Sequence, residues 1–381
     1  MKRVAVIGAT GSVGSAVMDV CRSFRGEVEV VAMAAAGNAE KLASLAREFG
    51  TRVLCIAENT AALKRLVAPD VKILSGGSGL RAIAIGEAGG AEHVVFASSG
   101  TAAIGALMDA LSSGIEVSLA NKESVVVGGP WVMPLAHNAS LRPLDSEHNA
   151  VWQCLRGESA PPKKVYLTAS GGPFRRMSAD EMRRVTPEMA LKHPVWSMGA
   201  KITVDSATLM NKGIELIEAS FLFDLAPDQL DALVSPGSFV HGMVEFEDGF
   251  VKMLAGSPDM RLPAVSCLFW PTRPPLPAEW NLTPTLMSVP LEPADEERFP
   301  ALRIAKEAMR RGGAYPPLLV GADEAAVARF LRGEIAFTEI AETVEETLAS
   351  YSGPAPSSLG DALDIMAWAR ARADGHRRSF S

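Results

Sequence analysis

Two carboxylates in this sequence have the type and spacing that suit a divalent metal ion. Asp145 and Glu147 stand two residues apart in LDSEHN, residues 144–149. In an extended chain, residues two apart point to the same side, so these carboxylates can converge. Neighbouring carboxylates repel each other unless they are solvated, protonated or bridged by a cation, and an oxygen pair suits Mg²⁺ or Mn²⁺. Taken alone, a surface turn or a helix N-cap explains the segment equally well.

A third carboxylate, Glu215, lies in a later segment with helical spacing. Asn211 and Lys212 precede it by four and three residues, so all three can share one face of a helix predicted from Ser206 to Phe223. A solvated face with an ordinary Lys–Glu pair is the simpler interpretation. The small polar run DSAT at 205–208 favours another one, because such groups bind a phosphate monoester through hydroxyl, amide and ammonium donors.

Two more segments can join this phosphate pocket. Ser170-Gly171-Gly172 follows a predicted strand and resembles a phosphate-binding turn, although turns of that composition are common. Residues 192–199 combine His193 with a tryptophan and a glycine, which predicts a lid near residues 190–200 that excludes water. A buried structural histidine and tryptophan are the alternative.

A glycine-rich turn predicts a nucleotide site near the N-terminus. Gly8, Gly11 and Gly14 lie directly after the first predicted strand and open a helix. Glycines allow a tight turn and close approach to a pyrophosphate, and the helix N-terminus presents N–H groups to the anion. The second strand ends in AAAGN (34–38), without the carboxylate that binds the ribose of NAD. This absence favours NADP, although the nearest cation, Lys41, can also be a solvated helix residue.

The elements that must position these residues form an α/β fold. Residues 1–145 alternate short apolar runs with amphipathic segments, which predicts a Rossmann-like, doubly wound parallel sheet with ligands beyond the carboxyl ends of its strands. Asn121-Lys122-Glu123 follows the last strand and therefore lies at the same edge as the glycine turn, unless it is a plain polar turn. The predicted strands are Val4–Ile7, Val28–Met33, Val53–Ile56, Val71–Leu74, Val94–Ala97 and Glu116–Ala120.

Three further regions follow this nucleotide-binding domain. Residues 146–270 mix strand and helix signals, including a hairpin of Val240–Phe246 with Phe250–Leu254, and predict a central α+β catalytic domain. The proline-rich start of 271–295 predicts a linker. Residues 296–381 predict a C-terminal helical bundle. Its predicted helices are Ala301–Arg311, Asp323–Arg332 and Thr338–Ser350.

Composition excludes several classes of protein. The 381 residues are 48% hydrophobic and carry a formal charge of −7, which argues against a general nucleic-acid role because phosphate backbones require a basic surface. We find no apolar stretch of about 18–20 residues that could span a bilayer. The four cysteines are isolated, as is usual in a reducing compartment, so we expect a cytoplasmic protein.

Taken together, these motifs resemble the 1-deoxy-D-xylulose 5-phosphate reductoisomerase family, whose members make 2-C-methyl-D-erythritol 4-phosphate for isoprenoid synthesis. The likeness covers essentially the whole chain, and 196–215 is its most specific part. It implies a homodimeric enzyme that uses NADPH and Mg²⁺ or Mn²⁺, first rearranging the carbon skeleton and then transferring hydride. It differs from the family pattern at Gly37, where a Lys is common, and at Ala97-Ser98-Ser99-Gly100, where Gly-Ala-Ala-Gly is usual.

The resemblance also implies roles for individual residues. The implied metal ligands are Asp145, Glu147 and Glu215. The residues implied around the substrate are Lys122, Ser146, Glu147, Ser170, His193, Ser206, Asn211, Lys212 and Glu215. Of these, Lys122, Glu147, His193 and Glu215, together with Asp145, are the expected catalytic residues. The residues implied around NADPH are Thr10, Gly11, Ser12, Val13, Gly37, Asn38, Asn121, Glu123 and Gly199.

Two other functions remain open on the sequence alone. The glycine turn also suits an NADP-dependent semialdehyde dehydrogenase, but that chemistry needs an activated cysteine, and none of the four has a convincing nucleophile setting. A catalytically silent NADP-binding sensor is the second alternative. The sequence contains a full set of candidate metal ligands and phosphate-binding residues, which argues against a protein without catalytic activity.

Overall fold

The computed structural model describes residues 1–136, 141–192, 196, 199–280 and 289–375. The chain divides into two compact units, and each is described by itself. Unit 1 is Met1–Ser124, Val132–Asn149 and Asp259–Thr283; unit 2 is Val125–Trp131, Ala150–Pro258 and Pro284–Ser381. The domain boundaries that we placed at residues 145, 270 and 295 from the sequence remain a prediction. None of the described helices combines the length and the apolarity needed to cross a membrane.

The N-terminal part of the chain alternates strands and helices. The strands are β1 Lys2–Ile7, β2 Val28–Ala35, β3 Val53–Ile56, β4 Lys72–Leu74, β5 His93–Phe96, β6 Glu116–Leu119 and β7 Leu141–Pro143. The helices are α1 Ser12–Ser23, α2 Ala39–Phe49, α3 Thr60–Leu66, α4 Gly76–Ala84, α5 Ile104–Ser112, α6 Lys122–Val132 and α7 Ser146–Leu155. All six predicted strands are present, and β7 is an additional one.

The remaining chain contains further strands and helices. The strands are β8 Lys164–Ala169, β9 Leu230–Val234, β10 Val240–Glu245, β11 Val251–Ala255 and β12 Glu292–Pro293. The helices are α8 Ala179–Met182, α9 Pro187–Ala190, α10 Ala200–Thr208, α11 Met210–Leu222, α12 Arg261–Phe269, α13 Pro300–Arg311, α14 Tyr315–Leu331, α15 Glu339–Ala349 and α16 Leu359–Asp374. The hairpin predicted around residues 247–249 is formed by β10 and β11.

Unit 1 is built on a parallel seven-stranded sheet in the order β4-β3-β2-β1-β5-β6-β7. Val4, Ala5 and Val6 of the central strand are completely buried, as expected of a strand covered by helices on both faces. The chain leaves β1 toward β2 on one side and later returns to β5 on the other. This reversal opens a crevice at the carboxyl ends of β1 and β5, where ligands of doubly wound sheets bind.

Unit 2 contains a mixed five-stranded sheet in the order β11-β10-β8-β9-β12. Strands β8 and β9 are parallel, and the other pairs are antiparallel. Helix α11 packs on this sheet and on α13. At that contact a Cβ added to Gly213 would lie 2.3 Å from the Cβ of Ala305, so only glycine permits the observed approach of the two helices. The parallel sheet, the mixed sheet and the helical C-terminal region confirm the predicted α/β class.

The predicted helix from Ser206 to Phe223 is wrong in one respect, because the structure has two helices there. Leu209 adopts a left-handed backbone (φ +63°) between α10 and α11. The Thr208 hydroxyl accepts a hydrogen bond from the Met210 N–H (3.3 Å) beside this break. A single leucine with positive φ is costly and leaves no mark in hydrophobic periodicity, so the sequence pattern did not indicate it.

The helical bundle also differs in extent from the prediction. Helix α14 begins at Tyr315 rather than at Asp323. Pro316 and Pro317 lie in the first turn of this helix, where prolines are tolerated because their missing N–H groups need no acceptor. Helix α16 was not predicted; Ser358 caps it by accepting a hydrogen bond from the Asp361 N–H (3.1 Å). Residues 376–381, the end of the predicted bundle region, lie outside the described residues.

Candidate functional site

The glycine turn, residues 8–14, lies in the crevice of unit 1 and requires its glycines. Gly8 has φ +91°, and a Cβ there would lie 2.5 Å from the carbonyl carbon of Ala97. A Cβ on Gly14 would lie 2.1 Å from the carbonyl oxygen of Gly8. Gly11 precedes α1 without a side-chain cap, so the first N–H groups of that helix remain available for an anion. The predicted NADPH residues Thr10–Val13 belong to this turn, whose close backbone approach fits a pyrophosphate.

Asn121 joins the loop after β5 to the start of α6. Its side-chain amide donates hydrogen bonds to the carbonyls of Ser98 (2.7 Å) and Gly100 (2.8 Å). Its Oδ1 accepts from the N–H of Ser124 (2.8 Å), which caps α6. These bonds use main-chain groups of the 97–100 loop, so the serines that replace the usual alanines leave the connection intact. Glu123 lies in the first turn of the same helix.

The end of β2 presents small and neutral residues beside the glycine turn. Asn38 caps α2, and its Oδ1 accepts from the N–H of Lys41 (2.9 Å). The Lys41 ammonium donates to the carbonyl of Thr10 (3.0 Å) and to the hydroxyl of Ser15 (2.7 Å). Gly37 contributes its carbonyl to a hydrogen bond from the side chain of Asn59 (2.9 Å). The structure therefore brings the predicted residues Thr10 and Asn38 together and adds Lys41 to them.

Asp145 and Lys122 form an ion pair within unit 1. Both side chains are largely buried, at 9% and 13% exposure. His148 lies behind them, with Nδ1 3.7 Å from Oδ1 of Asp145, and is completely buried. No site role was predicted for His148. Its position three residues after Asp145 is a signal that could have placed it beside the Asp145 carboxylate, because residues three apart on a helix are neighbours.

Asp145 and Glu147 do not lie in an extended chain, because α7 begins at Ser146, but carboxylate oxygens of the two side chains still lie within 4.8 Å of each other. Oδ1 of Asp145 accepts a hydrogen bond from the N–H of Glu147 (3.4 Å), and its carbonyl accepts from the N–H of Asn149 (2.8 Å). Asp145 thus occupies the N-cap position that was the alternative interpretation. The Ser146 hydroxyl donates to Oε2 of Glu147 (2.5 Å). A helix N-terminus favours nearby negative charge, and both carboxylates lie at this one.

In unit 2, the turn after β8 packs against α10. Gly171 and Gly172 have positive φ values of +85° and +68°. A Cβ on Gly172 would lie 2.8 Å from the carbonyl oxygen of Ser206. The Ser170 hydroxyl accepts a hydrogen bond from the N–H of Gly172 (3.2 Å). This glycine contact brings the predicted phosphate-binding turn directly against the helix that carries Ser206.

The first turns of α11 hold the second set of predicted residues. The amide of Asn211 donates to Oε1 of Glu215 (2.5 Å), and the Lys212 ammonium contacts Oε2 of the same carboxylate. Lys212 and Glu215 are 3% and 1% exposed, so the solvated Lys–Glu pair is excluded. Glu218 on the same helix is also buried, at 1% exposure.

An ion cluster that sequence reasoning missed anchors α10. The Lys201 ammonium lies 2.6 Å from carboxylate oxygens of both Asp205 and Asp323. Asp205 lies on α10 beside Ser206, and Asp323 is a completely buried residue of α14. No local pattern links positions more than a hundred residues apart, so only the fold reveals the cluster. It fixes the helix that carries one of the predicted phosphate ligands.

Residues 193–195, 197 and 198 of the predicted lid lie outside the described residues. His193 belongs to that undescribed part, so its predicted catalytic and substrate contacts remain predictions. Gly199 marks the N-terminus of α10, where its carbonyl accepts hydrogen bonds from the N–H (3.1 Å) and the hydroxyl (2.8 Å) of Thr203.

The cysteines lack the properties of an enzymatic nucleophile. All four are buried. Burial raises the pKa of Cys55 and Cys154 to about 11 and that of Cys21 and Cys267 to about 12. A reactive cysteine instead needs a depressed pKa and solvent access. The semialdehyde dehydrogenase alternative is therefore not supported.

Known proteins match this chain over nearly its whole length. Family models described as 1-deoxy-D-xylulose 5-phosphate reductoisomerase and as its C-terminal domain match residues 4–129 and 141–223. One described as the DXP reductoisomerase C-terminal domain matches 255–372. The 1-deoxy-D-xylulose 5-phosphate reductoisomerase of Desulfitobacterium hafniense is 42% identical over 98% of this chain and 99% of its own length. That of Chlamydia muridarum is also 42% identical, over 98% and 99%.

Solved structures agree with these sequence matches. The Zymomonas mobilis enzyme in complex with NADPH superimposes with a TM-score of 0.88 at 39% identity, covering 98% of each chain. A DOX-P reductoisomerase in complex with NADPH, fosmidomycin and magnesium gives 0.87 at 35% identity, covering 98% of this chain and 97% of that one. The resemblance inferred from the motifs is confirmed: the chain belongs to the 1-deoxy-D-xylulose 5-phosphate reductoisomerase family.

Proposed function

We propose that the protein catalyses the NADPH-dependent conversion of 1-deoxy-D-xylulose 5-phosphate to 2-C-methyl-D-erythritol 4-phosphate, and that a divalent cation assists it. The observation that carries this proposal is the match to enzymes of this activity over 98% of the chain. Two features of the chain fit the reaction: the glycine turn suits a dinucleotide, and the carboxylates on α7 and α11 suit Mg²⁺ or Mn²⁺.

The proposed metal ligands are Asp145, Glu147 and Glu215. Carboxylate oxygens are the ligands that Mg²⁺ and Mn²⁺ prefer, and no cysteine competes at these positions. Asn211 and Lys212 orient the Glu215 carboxylate through the contacts described above. When bound, the cation supplies Lewis-acid stabilisation to neighbouring substrate oxygens.

The other predicted residues bind and orient the substrate. Hydroxyl groups of Ser170 and Ser206, which the Gly172 contact holds near each other, donate to the phosphate. The Lys122 ammonium, held by Asp145, faces oxygens of the sugar chain. Ser146 supports Glu147 with its hydroxyl hydrogen bond. We expect the lid predicted near residues 190–200, with His193, to exclude water from the substrate. Phosphate contacts remote from the reacting carbons contribute binding energy for this positioning.

The activity is tested by following the loss of NADPH absorbance with 1-deoxy-D-xylulose 5-phosphate and Mg²⁺ or Mn²⁺, with and without EDTA, and again with NADH. We expect oxidation of NADPH that EDTA abolishes. If neither nucleotide is oxidised under any of these conditions, the functional assignment is wrong, and tight cofactor binding without turnover would favour the silent sensor.

The ligand assignment needs a test that is independent of turnover. Mn²⁺ binding can be measured by electron paramagnetic resonance in Glu147→Gln, Glu215→Gln and the exposed control Glu188→Gln. Removing one of three carboxylate ligands should weaken Mn²⁺ binding by about 10–100-fold or more, while the control should match the unmodified protein. Unchanged Mn²⁺ affinity in either ligand variant would contradict the assignment.

We also propose that the protein is a cytoplasmic homodimer. Strand β11 forms one edge of the unit 2 sheet. Val251 and Met253 of this strand are 42% and 47% exposed, and Phe250 just before it is 75% exposed. An apolar edge strand favours pairing with another chain, and a second copy supplies an identical edge. In light scattering, Met253→Lys should lower the molar mass toward that of one chain. A single-chain mass for the unmodified protein would contradict the dimer.

A further inference from the structure

The structure contains a charge arrangement beside β2 that bears on the choice between NADPH and NADH. The two cofactors differ only in the 2′-phosphate on the adenosine ribose, which doubly wound folds contact just after the second strand. Here that stretch, residues 34–38, is AAAGN and carries no charge. Discrimination must therefore come from side chains that other elements bring to the same place.

Lys41 is the cation that reaches this place. It lies in the first turn of α2, and its ammonium is held by the Thr10 carbonyl (3.0 Å) and the Ser15 hydroxyl (2.7 Å). Ser15 in turn donates to the carbonyl of Gly11 (2.7 Å), so Lys41 is tied to the glycine turn. Both acceptors of the ammonium are neutral oxygens. The full positive charge therefore remains available to an anion, and Lys41 is exposed to solvent.

Glu58 brings the opposite charge to the other side of the same loop. Its N–H donates to the carbonyl of Ala36 (2.8 Å), which extends the pairing of β2 and β3 by two residues. A Cβ added to Gly37 would lie 3.2 Å from Oε2 of Glu58. The carboxylate thus occupies the space into which a side chain at position 37 would project. Carboxylates near the end of β2 bind the ribose hydroxyls of NAD and repel a 2′-phosphate.

We propose that Lys41 recognises the 2′-phosphate of NADPH and that Glu58 opposes it, so that these two residues set the cofactor preference. The inference rests on the proposed function, because it concerns the cofactor of that reaction. Loss of one charge-assisted hydrogen bond to a phosphate corresponds to an affinity decrease of about 10–100-fold. Loss of the Glu58 charge should instead strengthen NADPH binding several-fold.

The experiment compares nucleotide affinities rather than rates. Dissociation constants for NADPH and NADH are measured by nucleotide fluorescence for Lys41→Met, Glu58→Gln and the control Lys64→Met, which removes an exposed lysine of α3. Adenosine 2′,5′-bisphosphate and AMP, measured by calorimetry, isolate the 2′-phosphate. We expect Lys41→Met to weaken NADPH and the bisphosphate about 10–100-fold, and to leave NADH and AMP within about twofold.

Each other outcome has a definite meaning. Equal losses for NADPH and NADH would place Lys41 at the pyrophosphate and overturn the proposal, as would unchanged binding of both. Glu58→Gln that leaves NADPH affinity unchanged would refute the opposing role of that carboxylate. Failure of the unmodified protein to bind either dinucleotide would instead contradict the proposed function, so the two failures are distinguishable.

Discussion

Acidification should weaken unit 1 through one buried histidine, His93, at the start of β5. Its side chain is completely buried, with Nδ1 3.1 Å from Oε2 of Glu116 and Nε2 2.6 Å from the hydroxyl of Ser118. Lys2 and Arg142 also contact Glu116, at 3.2 and 3.0 Å. The cluster therefore joins β1, β5, β6 and β7 at the amino end of the sheet.

Burial lowers the pKa of His93 from 6.5 to about 4, and the charges of Lys2 and Arg142 act in the same direction. The imidazole is therefore neutral near pH 7, with Nδ1–H donating to Glu116 and Nε2 accepting from Ser118. The hydrogen bond from His93, together with the Arg142 charge, lowers the pKa of Glu116 from 4.5 to about 2. In the folded chain, His93 and Glu116 therefore both bind a proton at a lower pH than they do in the unfolded chain.

The sign and size of the effect follow from these pKa values. The unfolded chain protonates His93 first, so the free energy of unfolding is intact above pH 6.5 and decreases as the pH falls toward 4. The full difference, at about 1.4 kcal/mol for each pH unit, is roughly 3 kcal/mol, of which roughly 2 kcal/mol is lost between pH 7 and pH 5. Glu116 adds to the loss only below pH 4.5, as the pH falls toward 2.

The assay is urea unfolding at pH 7 and pH 5 of the unmodified protein and of His93→Gln. The substitution removes the titration while keeping a polar side chain, so its own destabilisation cancels when the two pH values are compared. We expect the variant to lose roughly 2 kcal/mol less than the unmodified protein over this interval. An equal loss in both proteins would refute the assignment of the acid sensitivity to His93.

Three further substitutions test the positions that hold the site. Gly14→Ala should abolish NADPH binding in a fluorescence titration, whereas Gly26→Ala should not, because a Cβ at position 26 meets nothing within 4 Å. Retained NADPH binding in Gly14→Ala would contradict the close backbone approach in the glycine turn. Asp323→Asn should raise the KM for the phosphorylated substrate about tenfold with a smaller effect on kcat, because α10 loses an ion pair that anchors it. An unchanged KM would mean that the ion cluster stabilises the fold without affecting substrate binding. Gly213→Ala should lower the free energy of unfolding by about 1–3 kcal/mol through overpacking, measured by urea unfolding, whereas Gly105→Ala in open space should not; equal stability would contradict the close helix contact.

The features that could be predicted from the sequence are those encoded locally. The six predicted strands of the parallel sheet are short, largely apolar runs, such as Val53–Ile56, and lie within a few residues of turn signals. The glycine turn was predictable because no other residue type permits the observed approach of Gly8 to Ala97. The capping box that begins at Ser178 is encoded just as locally, since both of its hydrogen bonds lie within four residues.

The features that could not be predicted depend on contacts between distant segments. The break at Leu209 requires a backbone conformation that leucine seldom adopts and that only its surroundings can impose. The buried state of Lys212 and Glu215 could not be distinguished from an exposed pair, because both arrangements have the same spacing. Asp323 was assigned to a helix but not to an ion cluster, since its partner Lys201 lies far away in the chain.

The predicted site residues are concentrated where helices begin, and this affects how their substitutions must be interpreted. Asn121 caps α6, Asp145 caps α7 and Asn38 caps α2, so each of these predicted ligand-binding side chains also stabilises a helix. Replacing Asp145 with alanine would remove a cap worth about 0.5–2 kcal/mol together with the charge. Asparagine also caps well, so Asp145→Asn removes the negative charge while preserving the helix terminus. Only the second substitution can therefore distinguish a metal ligand from a structural cap.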